Sequence, residues 1–176
     1  ALYYNAVTSW FVDIKKIKKM LVELNKTIDW HPAHLKYGRF LKSLQSAPDW
    51  NISRWRFWAT PIPLWRCQNI NCKNIVCIGS IKELRNKAIN FDEVYPDYHK
   101  NIIDLHKPYI DMVLLRCEKC KDIMVRVKDI LDCWFESASM PFAEVHYPFE
   151  NKKFFEKRYP ADFVAEYIAQ TRAWFY

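Results

Sequence analysis

Four cysteines constrain this chain more than any other feature. Cys67 and Cys72 form a C-x4-C pair, and Cys117 and Cys120 a C-x2-C pair after 44 intervening residues. Two short turns that each present two thiols can supply Zn²⁺ with four soft ligands in a tetrahedron, provided the turns meet face to face. Lys73, Lys119 and Lys121 stand beside the pairs and would offset the net negative charge of a four-thiolate centre. The alternatives are reduced thiols and disulfides, and stable disulfides are disfavoured without a secretory signal. Cys77, inside the apolar run Ile75–Ile78, and Cys133, between Asp132 and Trp134, read as small core residues. The five histidines, His31, His34, His99, His106 and His146, are scattered and read as surface or satisfied polar groups rather than ligands.

Glycine narrows the function classes. Only 2 of 176 residues are Gly, against roughly a dozen at average usage. Neither a GxGxxG turn nor a phosphate-binding P-loop can be written anywhere in the sequence. The formal charge of +7 favours an anionic partner such as nucleic acid, or serves solubility alone. No apolar run approaches the roughly 18–20 residues needed to span a bilayer. The chain starts without Met or a signal peptide and stops in an aromatic cluster, so both ends read as cuts through a longer protein.

Local patterns give a mixed α/β reading. Tyr3–Val12 is expected as a strand, and Asp13 as the cap of a helix in which Ile14, Ile17, Leu21 and Leu24 recur at helical spacing. Pro32 is expected to open a second helix to about Leu44. Pro61 and Pro63 demand an extended segment through Trp65. Ile75–Ile78 reads as a short buried strand, and Ser80-Ile81-Lys82-Glu83 as a capping box opening a helix to about Ala88. Tyr109–Leu115 and part of Val125–Phe135 are expected as strands, and Phe149–Arg158 as a helix. Ala161–Trp174 is expected to hold one short strand and a helix start.

Several long stretches resemble one family. Asp49–Arg54, followed by Arg56–Trp65 (RFWATPIPLW), is similar to the class I aminoacyl-tRNA synthetases of the isoleucine, valine and leucine group. Tyr4–Val12, Val76–Leu84, Leu131–Glu150 (LDCWFESASMPFAEVHYPFE) and Tyr159–Tyr176 (YPADFVAEYIAQTRAWFY) point to the isoleucyl branch in its eukaryote-like form. The resemblance covers essentially the whole chain. It implies a cytoplasmic ligase that activates isoleucine with ATP to the adenylate and transfers it to tRNA(Ile). It also implies an α/β architecture, a partial nucleotide-binding (Rossmann-like) fold with a zinc-ribbon-like insertion. On that basis residues 1–27 end an editing domain, 28–65 return to the catalytic domain, 66–125 form the zinc-binding insertion, and 126–176 belong to the second catalytic half. The ATP signatures and the editing site would lie outside this chain, which alone would be inactive and would self-associate through exposed sheet edges and apolar surface.

By the same resemblance, Trp134 and Trp174 match the tryptophans that wall the isoleucine side chain. Glu166 and Gln170 match polar residues that hold the aminoacyl-adenylate. Cys67, Cys72, Cys117 and Cys120 would hold a structural zinc. The chain departs from the family where glycines are expected, at Ala59, Ala138, Tyr167 and Ala173. Ala169 stands where the family has Asp, and Trp55 where a smaller polar residue is usual. These changes imply an impaired site. The alternatives are a valine-specific relative, or a degenerate module that binds RNA or protein without catalysis.

Overall fold

The computed structural model describes residues 6–172 and 174–175, with Arg172 in its backbone only. The chain forms two compact units, Ala1–Ile52 with Asp132–Tyr176, and Ser53–Leu131. In chain order the elements are β1 (Phe11–Val12), α1 (Ile14–Thr27), a π-helical turn (Lys36–Phe40), α2 (Leu41–Ser46), β2 (Trp50–Asn51) and β3 (Ser53–Arg54). They continue with β4 (Leu64–Cys67), β5 (Ile75–Cys77), α3 (Ile81–Lys87), α4 (Phe91–Val94), β6 (Leu115–Arg116), β7 (Ile123–Arg126) and β8 (Ile130–Leu131). Helices α5 (Cys133–Ala143) and α6 (Lys152–Arg158) precede a final 3-10 turn, Ile168–Arg172.

In the first unit, the long strand expected over Tyr3–Val12 is reduced to β1, and Tyr3–Asn5 lie outside the described residues. The reason is the partner: β1 pairs antiparallel with β2, which is itself two residues long. Helix α1 starts where expected, yet the Asp13 carboxylate binds Lys16 at 3.1 Å instead of capping an amide. The buried side of α1 carries Ile14 and Asn25, whereas Leu24, expected on the apolar face, is 52% exposed. Asn25 is satisfied on both sides of its amide. Its Nδ2 donates to the Lys36 carbonyl at 3.0 Å, and its Oδ1 accepts from the Trp30 indole at 3.0 Å. Pro32 sits in a bend, and the helix it was expected to open begins two residues later and passes through the π turn into α2. Phe40 and Leu44 on that helix are buried, and the rings of Trp30, Phe40 and Phe175 form one cluster. No strand forms in Ala161–Arg172, where only the 3-10 turn is regular.

The second unit is built on a four-stranded antiparallel sheet of order β5-β4-β7-β6. Trp65 and Met124 from its central strands and Leu115 from the edge strand β6 are each 1% exposed. The Trp65 indole donates to the Val113 carbonyl at 2.8 Å, so its one polar atom is satisfied at full burial. Helix α3 and α4 cover this core with Leu84 and Phe91. The capping box is formed: the Ser80 hydroxyl accepts the Glu83 amide at 3.1 Å, and the Glu83 carboxylate accepts the Gly79 amide at 2.9 Å. Tyr109–Met112 winds as a 3-10 turn where a strand was expected, and pairing begins only at Leu115.

Arg126 is the unexpected core residue, with its side chain shut off from solvent. Its Nε donates to Asp111 at 2.6 Å and its Nη1 to the carbonyls of Ile62 (3.1 Å) and Asp129 (2.9 Å). A buried charge persists only with such partners. All strand pairs among the described residues are antiparallel, so the parallel half-sheet expected from the resemblance has no counterpart there. The expected boundaries at 65/66 and 125/126 fall inside β4 and β7.

Candidate metal centre

The sheet order explains why two cysteine pairs 44 residues apart meet. Hairpins β4–β5 and β6–β7 lie side by side because β4 pairs with β7, Cys67 opposite Met124. The end of β4 is therefore next to the start of β7, and the two hairpin tips share one end of the sheet. Each tip is a tight knuckle. Cys67 N–H donates to Asn74 O and Cys117 N–H to Asp122 O, closing the two turns. The residue after each pair, Lys73 (φ 51°) or Lys121 (φ 65°), is left-handed. Glycine is the usual occupant of that conformation, and lysine takes it here twice.

All four sulfurs lie within 4.8 Å of one another. Cys67 and Cys120 Sγ are 3.4 Å apart, and Cys72 and Cys117 Sγ 3.7 Å. Four thiolates at about 2.3 Å from a tetrahedral Zn²⁺ would be about 3.8 Å apart, so the set fits this ion with adjustments of about an ångström or less. The donors are all soft, which favours zinc over magnesium or calcium. No histidine joins this group among the described residues. Outer contacts orient the sulfurs, as good metal sites require. The Asn74 side chain donates to Cys117 Sγ at 3.6 Å.

Electrostatics favour one charge in the metal-free group. The backbone amides of Cys120 and Lys119, with the Cys120 and Cys72 thiols, bring the Cys117 thiol down to about 6. Burial pushes the Cys67 thiol up to about 12. Cys72 is also raised: the Asn74 amide pulls it down, but burial and the neighbouring thiols outweigh that pull. Metal binding must therefore expel protons held by thiols that favour their neutral form.

The other two cysteines are corrections. Cys77 and Cys133 were expected in the core and both are exposed. Side chains alternate along β5: Val76, opposite Trp65, packs on the core, so Ile75 and Cys77 lie on the other face of the sheet, opposite Arg66 and Leu64, and are exposed. Cys133 is the first residue of α5, where the helix leaves Asp132.

Of the residues matched to an amino-acid site, Trp134 lies in the first turn of α5, 41% exposed. The Trp174 indole donates to the Ser137 carbonyl of α5 at 3.1 Å. Both tryptophans are thus associated with one helix, at positions about one turn apart along it. Gln170 lies in the 3-10 turn, and its Oε1 is buried without a hydrogen-bond partner. Glu166 is exposed in the irregular segment before that turn. Thr171, 1% exposed, anchors the turn by accepting from Arg39 Nε at 3.1 Å and donating to Ile168 O at 2.8 Å. Sequence reading missed Arg39 and Thr171, which carry no local signal.

The departures from the family pattern differ in consequence. Ala59 has φ 153°, a conformation in which glycine is at ease and alanine is strained. Ala138 sits within α5, where alanine is the better helix former by about 1 kcal/mol. Tyr167 is 75% exposed and Ala169 is exposed. Ala173 lies outside the described residues.

Residues 3–176 match the family model described as tRNA synthetases class I (I, L, M and V). Over 175 residues the chain is 49% identical to an isoleucine–tRNA ligase of Treponema denticola, covering 99% of the chain and 15% of that protein. It is 50% identical over 178 residues to the isoleucine–tRNA ligase of Ehrlichia canis (99% and 16%). It is 48% identical over 176 residues to that of Clostridium tetani (100% and 16%). The chain therefore spans about one sixth of the length of these relatives.

Proposed function

The chain belongs to the class I tRNA synthetases, and from that premise we propose that it works as part of an isoleucine–tRNA ligase. The observation that carries this is the near-half identity, over essentially the whole chain, to proteins named for that activity. In the proposed reaction the isoleucine carboxylate attacks the α-phosphate of ATP and pyrophosphate leaves; a terminal ribose hydroxyl of tRNA(Ile) then attacks the acyl carbon of the adenylate, and AMP leaves as the ester forms. Catalysis of this kind rests on positioning and electrostatic stabilisation, with no protein nucleophile. Trp134 and Trp174 would wall the aliphatic side chain. Their association with one helix supports this role. Glu166 and Gln170 would bind the adenylate, and the buried, unpartnered Gln170 amide oxygen supports a ligand contact there.

The reading keeps the four-part division: 1–27 from an editing domain, 28–65 returning, 66–125 the zinc-binding insertion, and 126–176 in a Rossmann-like half. Zn²⁺ would be held by Cys67, Cys72, Cys117 and Cys120, where it would cross-link two hairpins and take no part in the reaction. The family resemblance alone gives the cytoplasmic setting of this proposal. No helix among the described residues is long and apolar enough to cross a membrane. Separated from its surroundings the chain would self-associate, as its many exposed large apolar side chains, Phe163 at 82% among them, favour.

The test replaces the matching segment of the Treponema denticola ligase with this chain and measures isoleucine-dependent ATP–pyrophosphate exchange. Trp134→Ala and Trp174→Ala should each raise KM for isoleucine by on the order of 10–100-fold, as lost apolar contact predicts. An unchanged KM in both variants refutes the pocket. Restoring Asp at 169 with Gly at 167 and 173 should raise exchange by orders of magnitude, and equal rates would show that these positions do not impair the site.

A further inference from the structure

Trp55, Phe57 and Trp58 in the second unit are 77%, 66% and 66% exposed. A single exposed aromatic needs no explanation, but three within four residues make a patch. The patch is fixed in place. The Lys107 ammonium donates to the backbone carbonyls of Lys128 and of Arg56, tying the segment after β3 to two other loops. Trp58 lies flat on His106, with ring centroids 4.6 Å apart and planes 8° from parallel. His106 is in turn held by Asp104 Oδ1, which meets its backbone N–H at 2.9 Å and its Nδ1 at 2.8 Å. One face of the Trp58 indole is thus covered, and its exposure leaves the other face open: half of a stacked sandwich.

Charge selects the kind of planar group that would complete it. Arg56 stands between the two tryptophans in sequence, and Lys107 is bound to the Arg56 backbone. The nearby carboxylates of Asp104 and Asp111 are engaged by His106 and Arg126. The chain as a whole carries +7. Aromatic planes interleaved with cations are how proteins hold single-stranded nucleic acid: bases stack and phosphates meet the charges. A protein partner would equally accept the apolar rings but gives no reason for the cations.

We propose that Trp55, Arg56, Trp58 and Lys107 form a docking platform for unpaired nucleotides of RNA. Bases stack on Trp55 and on the open face of Trp58, and phosphates meet Arg56, whose backbone the Lys107 ammonium holds in place. The platform uses none of the residues assigned to isoleucine or the adenylate, and it rests on the proposed function only in the choice of RNA.

The test is fluorescence anisotropy of the Treponema denticola ligase carrying this chain in place of its matching segment, with fluorescein-labelled oligo(A) RNA of 12 nucleotides and with the corresponding 12-base-pair RNA duplex. The single strand should bind at least about 10-fold tighter than the duplex, since paired bases offer no free face. Trp55→Ala and Trp58→Ala should each weaken it by about 10-fold or more, while Trp55→Phe retains most of the binding. Arg56→Gln should lower the salt slope by about one unit. These side chains are exposed, so the variants should melt like the parent; where one does not, the Phe variant carries the comparison. Equal binding of single strand and duplex overturns the proposal, as does alanine variants binding like the parent. Failure to bind the single strand, combined with Trp55-dependent self-association, also overturns it and assigns the patch to a protein contact. The ligase reading is tested separately, by isoleucine-dependent exchange in the Trp134 and Trp174 variants, so a failure here leaves it standing.

Discussion

Removing the metal should unfold the second unit before the rest of the chain. The four sulfurs are already within 4.8 Å of one another, close to the spacing a tetrahedral ion imposes, so little of the binding free energy goes into deforming the hairpins. At a free zinc concentration 1,000-fold above Kd, ligation stabilises the folded form by about 4 kcal/mol. A unit the size of Ser53–Leu131 gains about 4–8 °C in Tm per kcal/mol. Chelation should therefore lower its melting temperature by on the order of 20 °C. Cys117→Ser replaces the sulfur that most favours the thiolate with a poor ligand, and should abolish most of that chelator-dependent difference. The assay is thermal melting by circular dichroism with and without a zinc chelator, alongside colorimetric zinc release. One equivalent of zinc and a large downward shift are expected. A chain refolded with zinc that retains none, or one that melts alike in both conditions, would refute the reasoning from geometry.

Three further perturbations test separate parts of the structure. Ala59→Gly relieves a backbone at φ 153° and should stabilise the chain by about 1–3 kcal/mol in urea titration; no gain would mean that the loop carries no strain. Asp111→Asn leaves the Arg126 guanidinium buried without its counter-charge and should cost about 3 kcal/mol, the lower end for a broken buried pair because Asp111 itself is a third exposed. In the metal-free chain, stability should peak near pH 8–9. Cys117, depressed to about 6, contributes stability that is lost as pH falls through 6. Cys67, raised to about 12, contributes stability that is lost as pH rises from the unfolded thiol value of about 8.5 towards 12. Cys117→Ser should flatten the acid limb and Cys67→Ser the alkaline one, read as Tm against pH; limbs that persist in both variants would assign them to other groups.

What could be read from the sequence was what depends on near neighbours along the chain. The Ser80–Glu83 cap needs only two residues three apart, and it formed as expected. The four-cysteine cluster was legible because each knuckle is local and its donors are chemically distinctive, although the pairing of β4 with β7 that brings the knuckles together was not. Cys77 shows the limit: its apolar neighbours suggested a buried strand, but only one face of β5 meets the core, and the register gives that face to Val76. Arg126 shows the converse, a charge whose burial becomes tolerable only through Asp111, the distant Ile62 carbonyl and the nearby Asp129 carbonyl.

The same distinction bears on the glycine-poor composition. Left-handed positions exist here, at Lys73, Asn101, Lys121, His146 and Asn151, but neither of the two glycines occupies one. Where a knuckle needs φ > 0, lysine is held in place by a hairpin closed on both sides, and zinc would reinforce that constraint. Ala59 is closed on one side only: the Thr60 carbonyl beside it accepts from Leu131 N–H at 2.8 Å, and on its other side lies the exposed patch. Glycine loss should therefore cost least where the turn is cross-linked and most at Ala59. Substituting glycine at 73 and 121 should stabilise the metal-free chain but add little once zinc is bound, whereas glycine at 59 should add the same increment in both states. Equal gains at all three positions, with and without metal, would break the link drawn here between ligation and tolerated strain.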